Sequence, residues 1–408
     1  MATTARKKTV NVLTWTGFCF LFIVSLPAAD WPQFLGPARN GTYDGILKGR
    51  TPALQWKSPV GAGFAGPVVS QGRLILFHRT ADRETIEALD SQSGKKVWSF
   101  AYPTAYRDDF GFDEGPRATP VVSGGKVYTH GAEGMLTCVD FATGKKIWQL
   151  DTRGKFGFAK QFFGMAAIPL IEGNTLILNI GGSAGIAGIN KDTGAVLWTS
   201  TKDEAGYSSP VAATIGNERH VFAFTRAGLN DLNPADGKVR FTIPFRSRND
   251  ASVNAAVPLI AGDLVFVSAS YRTGAMALQV TGSTYKKLWA NDESMSNHYA
   301  TSVLKDGYLY GFHGRQEYGP SFRCVELKTG KVMWDVPDFG AGTVTLVGND
   351  LMIIKEGGEL QWAAADPKTF KSGSTHPLLP KTIRAYPALA GNQLCIRNEQ
   401  TLSCFLLQ

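Results

Sequence analysis

The chain has 408 residues, of which 44% are hydrophobic and 19% are charged, and it contains 45 glycines and 20 prolines. This composition is typical of a globular protein that is rich in turns and has enough chain to bury a large core. The formal net charge is +8, but no block of lysine and arginine occurs after residue 8, which argues against a nucleic-acid-binding protein.

Residues 1–29 have the pattern of an export signal. Three basic residues at 6–8 precede an apolar stretch from Val10 to Leu26, and the small residues Ala28 and Ala29 follow it. We predict that the signal is cleaved, which would leave a formal charge of +5, and that the protein is periplasmic or secreted. An uncleaved membrane anchor is the alternative. No later stretch is long and apolar enough to predict a membrane span.

Residues 30–52 show neither a strand period nor a helix period. They include the sequence Trp-Pro-Gln-Phe-Leu-Gly-Pro at 31–37, and we predict an extended N-terminal arm that lies over the body of the protein. The next segment, 53–59, has the pattern of the last strand of a repeat and contains Trp56. Because no earlier strands precede it, this strand must pair with strands from elsewhere in the chain.

A short pattern recurs about every 50 residues: an apolar run, then Asp or Asn, then Gly four residues later, then Trp after four more. The three clearest copies are 90–98, 140–148 and 190–198. An Asp or Asn that caps the turn and a Gly at a positive φ angle are what a β-hairpin needs, and a period of roughly 40–50 residues is typical of a β-propeller. The aromatic residues that end successive repeats are Trp56, Trp98, Trp148, Trp198, Phe241, Trp289, Trp334 and a degenerate position near Phe370.

These repeat ends predict one all-β domain over residues 53–408, an eight-bladed β-propeller of four-stranded antiparallel blades. Residues 382–408 supply three strands and no fourth, so we expect the N-terminal strand at 53–59 to complete the C-terminal blade. Closing the ring in this way removes the open sheet edges that a linear array of repeats would expose. We expect the closed ring to be a monomer.

Six first strands begin at a proline, as at Pro67, Pro120 and Pro169, where no ladder hydrogen bond is lost. The first strand of a blade lines the central channel, so the residues before these prolines ring one mouth of it. Polar groups that converge between aromatic walls favour a small-molecule pocket; the alternative is that these side chains plug the channel. The mouth residues are Phe64, Arg117, Phe163, Met165, Tyr207, Ser209, Asn254, His298, Tyr299, Arg384 and Tyr386.

The acidic, glycine-rich loop at 108–117 leads into the same mouth. Its Asp109 and Asp113 are weak candidates for Ca²⁺ ligands, because carboxylates supply the hard oxygen atoms that Ca²⁺ prefers. The loop matches no strict Ca²⁺-binding pattern, and a solvated turn that is salt-bridged to Arg117 is the alternative. The six histidines form no zinc motif, so no other metal site is predicted.

Cys395 and Cys404 flank a predicted two-residue turn at Glu399 and Gln400, which would place the two cysteines opposite each other. In an oxidising compartment they would be able to form a disulfide. The alternative is a pair of buried thiols, because directly opposed strand positions rarely suit disulfide geometry.

The repeat Leu/Val-Asp-x-x-x-Gly-Lys-x-x-Trp resembles the PQQ repeat of quinoprotein dehydrogenases and of BamB, a subunit of the bacterial outer-membrane β-barrel assembly machinery. In that family the repeat tryptophan docks between adjacent blades. The resemblance therefore implies a structural role for Trp98, Trp148, Trp198, Trp289 and Trp334. It covers nearly the whole mature chain and indicates the fold, whereas one fold of this kind hosts many functions.

The resemblance implies two possible functions. A BamB-like protein is a non-catalytic scaffold that needs no cofactor and binds a protein or small-molecule partner in the cell envelope. A quinoprotein-like dehydrogenase or ligand-binding propeller would instead hold PQQ and Ca²⁺ at the funnel rim, with Asp109 or Asp113 as the base. The chain lacks the adjacent cysteine pair of those dehydrogenases and a C-x-x-C-H haem motif, so we favour the first. The mouth residues assigned to ligand binding are Arg117, Phe163, Tyr207, Asn254, His298, Tyr299, Arg384 and Tyr386.

Overall fold

The computed structural model describes residues 1–2, 30–249 and 252–408. The predicted export signal lies outside the described residues apart from its first two positions. The described chain forms eight antiparallel sheets of four strands, one of which gains a short fifth strand from the N-terminal segment. The predicted eight-bladed β-propeller is thereby confirmed.

The strands are numbered in chain order, and blades 1 to 4 follow two short N-terminal strands. These strands are β1 (Thr42–Tyr43), β2 (Pro52–Pro59), β3 (Val68–Ser70), β4 (Arg73–Thr80), β5 (Arg83–Asp90), β6 (Lys96–Pro103), β7 (Val121–Ser123), β8 (Lys126–His130), β9 (Met135–Asp140), β10 (Lys146–Asp151), β11 (Leu170–Glu172), β12 (Thr175–Gly181), β13 (Gly185–Asn190), β14 (Val196–Ser200), β15 (Val211–Ile215), β16 (Glu218–Phe224), β17 (Gly228–Leu232) and β18 (Val239–Pro244).

Blades 5 to 8 contain the remaining strands, and β2 is the fourth strand of blade 8. These strands are β19 (Leu259–Ala261), β20 (Leu264–Ala269), β21 (Gly274–Thr281), β22 (Thr284–Asn291), β23 (Val303–Lys305), β24 (Tyr308–His313), β25 (Ser321–Glu326), β26 (Val332–Val336), β27 (Gly342–Val347), β28 (Asp350–Lys355), β29 (Glu359–Ala364), β30 (Ser372–Pro377), β31 (Ala388–Ala390), β32 (Gln393–Arg397) and β33 (Thr401–Leu407).

In the part of the chain that the structure describes, helix is confined to two short segments, α1 (Thr152–Phe156) and a 3₁₀ turn (Gln316–Tyr318). The side chain of Asp151 caps α1 by accepting a hydrogen bond from the backbone N–H of Gly154. Among the residues that the structure describes, no helix has the length and apolar character that crossing a membrane requires.

The repeat motif forms the hairpin between the third and fourth strands of a blade. In blade 2, Oδ1 of Asp140 accepts a hydrogen bond from the backbone N–H of Thr143 at 2.8 Å, and Gly144 takes a φ angle of 70°. The N–H of Gly144 donates to the carbonyl of Asp140 at 2.8 Å. The side chain and the glycine together satisfy the turn, as the sequence pattern predicts.

The repeat tryptophan of one blade packs on the hairpin of the next blade. The indole N–H of Trp98 donates to the carbonyl of Phe141 at 3.0 Å, and a Cβ atom on Gly144 would lie 2.5 Å from the Trp98 ring. Trp148 bears the same relation to Lys191 and Gly194. The glycine is therefore required twice, for its positive φ angle and for the close approach of the indole.

The first and last parts of the chain meet in blade 8. Strand β2 pairs antiparallel with β33, and Trp56 lies opposite Cys404. The indole N–H of Trp56 donates to the carbonyl of Ser91 in blade 1, so this blade docks like the others. In blade 7 the fourth strand, β30, begins just after Phe370, and the Phe370 ring packs against Trp334 with centroids 5.4 Å apart.

The four cysteines of the described residues fall into two kinds. Cys395 and Cys404 lie directly opposite each other on β32 and β33 and form a disulfide with a Cα–Cα distance of 4.1 Å. Cys138 and Cys324 are buried free thiols.

The N-terminal arm lies inside the channel rather than over the outside of the body. Trp31 forms a β-bridge with Val69 of the first strand of blade 1, and β1 adds a parallel strand to β27 of blade 7. Arg39 is only 5% exposed, and its guanidinium donates to the carbonyl of Pro169 at 2.8 Å. These contacts lie along the first strands of blades 1 and 7 and beside the start of the first strand of blade 3, so the arm fills part of the channel.

Candidate functional site

The segments that lead into the first strands line a funnel at one end of the channel, here called the mouth face. The funnel encloses a cavity of about 230 Å³. Phe34 of the N-terminal arm forms part of its floor and packs edge-on against Tyr386, with ring centroids 4.6 Å apart. The channel is thus plugged from below by the arm, and the predicted mouth residues remain around an open cavity.

Nine of the eleven predicted mouth residues line this cavity: Phe64, Arg117, Phe163, Tyr207, Ser209, His298, Tyr299, Arg384 and Tyr386. Asn254 does not, because it is 2% exposed and its amide donates to the carbonyl of Thr225 at 2.8 Å. Its own carbonyl accepts hydrogen bonds from the backbone of Tyr207 and Ser208. Asn254 therefore holds two loops together, and Met165 is likewise buried.

Arg117 is a cation between aromatic rings. Its guanidinium carbon lies 5.5 Å from the ring centre of Phe64 and 5.7 Å from that of Phe163, within the range of a cation–π interaction. Its Nη2 is 2.5 Å from Oδ2 of Asp108, whose side chain is fully buried. Its Nη1 is buried and forms no hydrogen bond with any described residue, so one donor of Arg117 is unused.

Arg384 also lies close to Phe64, with its guanidinium carbon 5.4 Å from that ring centre. Its Nε donates to Oε1 of Glu356 at 2.9 Å, and the hydroxyl of Tyr299 donates to the same oxygen at 2.7 Å. Burial, followed by the negative charge of Glu356, raises the pKa of Tyr299 well above its usual value. Tyr299 is therefore a neutral hydrogen-bond donor that fixes Glu356.

Tyr386 and Tyr207, which also line the cavity, form hydrogen bonds through their hydroxyls. The hydroxyl of Tyr386 accepts a hydrogen bond from the backbone N–H of Thr301 at 2.6 Å, and burial raises the pKa of Tyr386 to about 12. The hydroxyl of Tyr207 accepts from the N–H of Phe163 at 3.3 Å, and burial raises its pKa to about 12 as well. Both hydroxyls remain protonated, and the two rings serve as rigid walls of the cavity.

His298 lines the funnel and contacts the side chain of Tyr271. Its Nε2 lies 2.8 Å from the hydroxyl of Tyr271, and burial lowers the pKa of His298 to about 4. The imidazole is therefore neutral near pH 7 and shares a hydrogen bond with the Tyr271 hydroxyl through Nε2. Glu317, the carboxylate that lines the cavity among the described residues, is ion-paired to Arg315 at 2.8 Å.

The two weak candidates for Ca²⁺ ligands, Asp109 and Asp113, interact with different partners. Asp109 forms an ion pair with Lys160. Asp113 accepts backbone hydrogen bonds at both oxygens, from Gly63 at 2.9 Å and from Gly115 at 2.6 Å. Within residues 30–249 and 252–408, no group of three or more His, Cys, Asp and Glu side chains is placed to hold a metal ion.

An aromatic shelf, defined as Phe110, Phe112 and Phe162, lies beside the mouth. The exposed fractions of these side chains are 51%, 51% and 40%. The rings of Phe112 and Phe162 both lie against the ring of Phe110. The ring of Phe110 also stacks on that of Phe163 of the funnel, with ring centroids 5.3 Å apart. The sequence analysis did not identify the shelf. Its signal was the presence of phenylalanines in two glycine-rich loops, where apolar side chains find little cover.

The sequence matches a family model described as outer membrane protein assembly factor BamB over residues 82–336. It is 24% identical over 320 residues to the outer membrane protein assembly factor BamB of Yersinia pestis. This alignment covers 71% of this chain and 77% of the relative. It is also 26% identical over 185 residues to the quinoprotein alcohol dehydrogenase PedH of Pseudomonas putida, which covers 43% of this chain and 30% of the relative.

Solved structures that resemble this chain also include both BamB proteins and quinoprotein dehydrogenases. BamB from Moraxella catarrhalis superposes with a TM-score of 0.62 at 12% identity, covering 88% of this chain and 98% of that one. The quinohemoprotein alcohol dehydrogenase from Comamonas testosteroni superposes with a TM-score of 0.67 at 14% identity, covering 93% of this chain and 80% of that one. At such identities the likeness establishes the fold alone, since the same propeller carries different functions.

Proposed function

The chain belongs to the PQQ-repeat family described as outer membrane protein assembly factor BamB, and from this premise we propose that it is a non-catalytic binding protein of the cell envelope. It holds a protein partner at the mouth face, where the partner packs on the aromatic shelf and inserts one side chain into the funnel. The location in the envelope rests on the predicted export signal at residues 1–29.

The observation that carries this proposal is the aromatic shelf. Phe110 and Phe112 are each half exposed, although a phenylalanine side chain is stabilised by about 1.5–3 kcal/mol when it is fully buried. Aromatic residues and arginine are enriched among the side chains that dominate protein–protein binding energy. Lys160, which ion-pairs with Asp109 at the edge of the shelf, adds a polar rim of the kind such interfaces have.

The size of the funnel fits an anchor side chain. Its volume of about 230 Å³ lies below the roughly 300–1,000 Å³ of pockets for drug-sized ligands. The unused Nη1 of Arg117 favours an anchor that presents an oxygen acceptor, and the rings of Phe64 and Phe163 favour a flat apolar body. A tyrosine side chain of the partner meets both conditions, because its ring is flat and its hydroxyl oxygen accepts hydrogen bonds.

The ionisable groups of the funnel argue for binding rather than catalysis. Burial acts to raise the pKa of Glu317, but hydrogen bonds from Arg315 and from the backbone outweigh it and lower that pKa. A carboxylate with a lowered pKa is a weak general base. The depressed pKa of His298 makes its imidazole a weak base for the same reason.

A Ca²⁺–quinone centre fits these residues poorly. Such a centre needs several oxygen ligands around the ion, whereas Asp113 uses both carboxylate oxygens on backbone N–H groups and Asp109 is paired with Lys160. A planar carboxylate without Ca²⁺ is compatible with the funnel, because Arg117 would stack and pair with it. This small-ligand function is the second candidate, and the unused Nη1 of Arg117 is the observation that favours it.

The first experiment tests the shelf. The purified protein is used to capture partners from a cell-envelope extract, in parallel with a Phe110→Ser, Phe162→Ser double variant and a Val97→Ser, Leu197→Ser control. The control residues are exposed by 47% and 50% on the outer strands. We expect a partner that the wild type and the control retain and the shelf variant loses. Retention by all three proteins would contradict the proposal.

A second measurement separates binding from catalysis. Tryptophan quenching is followed while the protein is titrated with PQQ, with and without Ca²⁺, and dye reduction is followed with alcohols and sugars. We expect no dye reduction. Saturable PQQ binding that Arg117→Ala abolishes, without turnover, would establish the small-ligand function. Turnover would overturn the non-catalytic proposal.

A further inference from the structure

A second depression, here called the side groove, lies on the mouth face next to the funnel. It has a volume of about 1,010 Å³ and is lined by loops of blades 4, 5 and 6. Tyr271 separates the two spaces, since its side chain lines both the groove and the funnel cavity. The groove is several times larger than the funnel and is independent of the aromatic shelf.

The lining of the groove has an unusual composition. Its described side chains are charged, polar or aromatic, and none is Leu, Ile, Val, Met or Ala. Arg248 and Arg272 are exposed in it, and the acidic side chain in the described lining, Asp292, accepts a hydrogen bond from Ser296. A site without aliphatic side chains gains little from an apolar ligand, while its arginines favour carboxylates.

Tyr271, Arg315 and Tyr318 form a stack that faces the groove. The guanidinium carbon of Arg315 lies 4.4 Å from the ring centre of Tyr271 and 5.2 Å from that of Tyr318. Tyr318 is 77% exposed, so one ring presents an open face. The Nε of Arg315 is buried and forms no hydrogen bond within residues 30–249 and 252–408, which leaves an unused donor inside the stack.

The hairpin tip that carries Tyr271 is strained. Tyr271 and Arg272 take φ angles of 65° and 61°, a left-handed conformation that glycine and asparagine adopt readily and bulky residues avoid. Two successive residues with positive φ angles are what a type I′ hairpin turn requires, and glycine, asparagine or aspartate usually supplies them. At this tip the turn directs the hydroxyl of Tyr271 to His298 and places Arg272 in the groove.

We propose that the side groove binds an acidic oligosaccharide, a chain of sugars that carry carboxylates. The open face of Tyr318 stacks against the C–H face of a sugar ring, and the arginines pair with the carboxylates. An acidic peptide shares the charge, but its carboxylate-bearing side chains offer no flat face to stack on Tyr318, so the exposed tyrosine ring favours the saccharide.

The test is calorimetric titration of the purified protein with a hexameric oligogalacturonate. Neutral maltohexaose and a short polyaspartate are titrated in parallel at 0.15 M salt. We expect saturable binding of the oligogalacturonate alone. Tyr318→Ala should weaken it about tenfold and Tyr318→Phe should not, because the ring face rather than the hydroxyl makes the contact.

Arg272→Gly sharpens the test. Glycine relieves the left-handed strain, so we expect the melting temperature to rise while oligogalacturonate binding falls about tenfold, the loss expected for one charge-assisted hydrogen bond. Arg83→Ala is the matched control, since Arg83 is an exposed arginine beside the corresponding hairpin of blade 1 and donates to the carbonyl of Ala101. It should leave binding unchanged.

Three outcomes would overturn the proposal. Equal binding of maltohexaose would show that the arginines do not select for charge. Equal binding of polyaspartate would assign the groove to acidic peptides instead. Binding that Arg83→Ala weakens as much as Arg272→Gly would show general attraction to a basic surface rather than a site.

Discussion

The mouth face and the opposite face of the propeller differ in the loops that form them. On the opposite face, the hairpins at Asp90, Asp140 and Asn190 repeat one turn, and each receives the tryptophan of the preceding blade. On the mouth face, the segments that join one blade to the next differ in length, as residues 104–120, 201–210 and 337–341 do. The contacts that join neighbouring blades are thus repeated on one face. The loops on the mouth face vary from blade to blade, as loops that carry function usually do.

The largest expected effect tests the repeated contact between blades. Trp148→Ala removes a side chain that is 8% exposed and that hydrogen-bonds to Lys191 of the next blade. We expect the free energy of unfolding to fall by about 3–5 kcal/mol, as measured by denaturant unfolding. Ile147→Ala, at a neighbouring side chain that is 42% exposed, should cost less than about 1 kcal/mol. Similar losses for the two variants would break the comparison.

The next effect tests the glycine that receives the indole. Gly194→Ala forces a Cβ within 2.9 Å of the Trp148 ring at a φ angle of 75°, so strain and overpacking together should cost about 2–4 kcal/mol. Gly173→Ala is the matched control in the same blade, with a φ angle of 56° and no atom within 4 Å of the added Cβ. It should cost about 1 kcal/mol, and equal costs in thermal unfolding would refute the docking role.

A third prediction concerns acid and the mouth end of blade 2. His130 is fully buried, and burial lowers its pKa to about 4. The folded state therefore binds fewer protons than the unfolded state between its ordinary pKa of 6.5 and pH 4, and stability present above pH 6.5 is lost as the pH falls through that window. The loss at pH 4 should approach about 3 kcal/mol.

The measurement for His130 is denaturant unfolding at pH 7 and pH 4. His130→Gln should lose less stability than the wild type over that interval, because glutamine gains no proton. Its baseline at pH 7 should be lower, since the imidazole Nδ1 lies 3.1 Å from the carbonyl of Ala167. An identical pH dependence for the two proteins would show that His130 titrates normally.

The smallest effect on stability is expected on the aromatic shelf. Phe110→Ser replaces a side chain that is 51% exposed, so the free energy of unfolding should change by less than about 0.5 kcal/mol, as read from chemical denaturation. The same substitution should weaken partner capture. A loss of several kcal/mol would show that the shelf is part of the core, and the contrast between the two faces would then fail.

The placement of the funnel residues could be predicted in part. Arg117 and Arg384 precede first strands that follow Pro120 and Pro387, so the position of these prolines was enough to bring them to the mouth. His298 also lies before a first strand, β23, although no proline marks the start of that strand. Asn254 obeys the same rule but turns away to hydrogen-bond the carbonyl of Thr225. A backbone carbonyl that needs a donor in a loop leaves no trace in the sequence.

The sequence by itself determined the all-β class, the eight blades, the hairpins and the strand that closes the last blade. These features follow from local turn chemistry and from a period that repeats along the chain. The tertiary structure decided that the arm plugs the channel through Arg39, that the shelf forms around Phe110, and that Arg315 stacks on Tyr271. These features join segments distant in sequence and without a period, so only the closed ring brings them together.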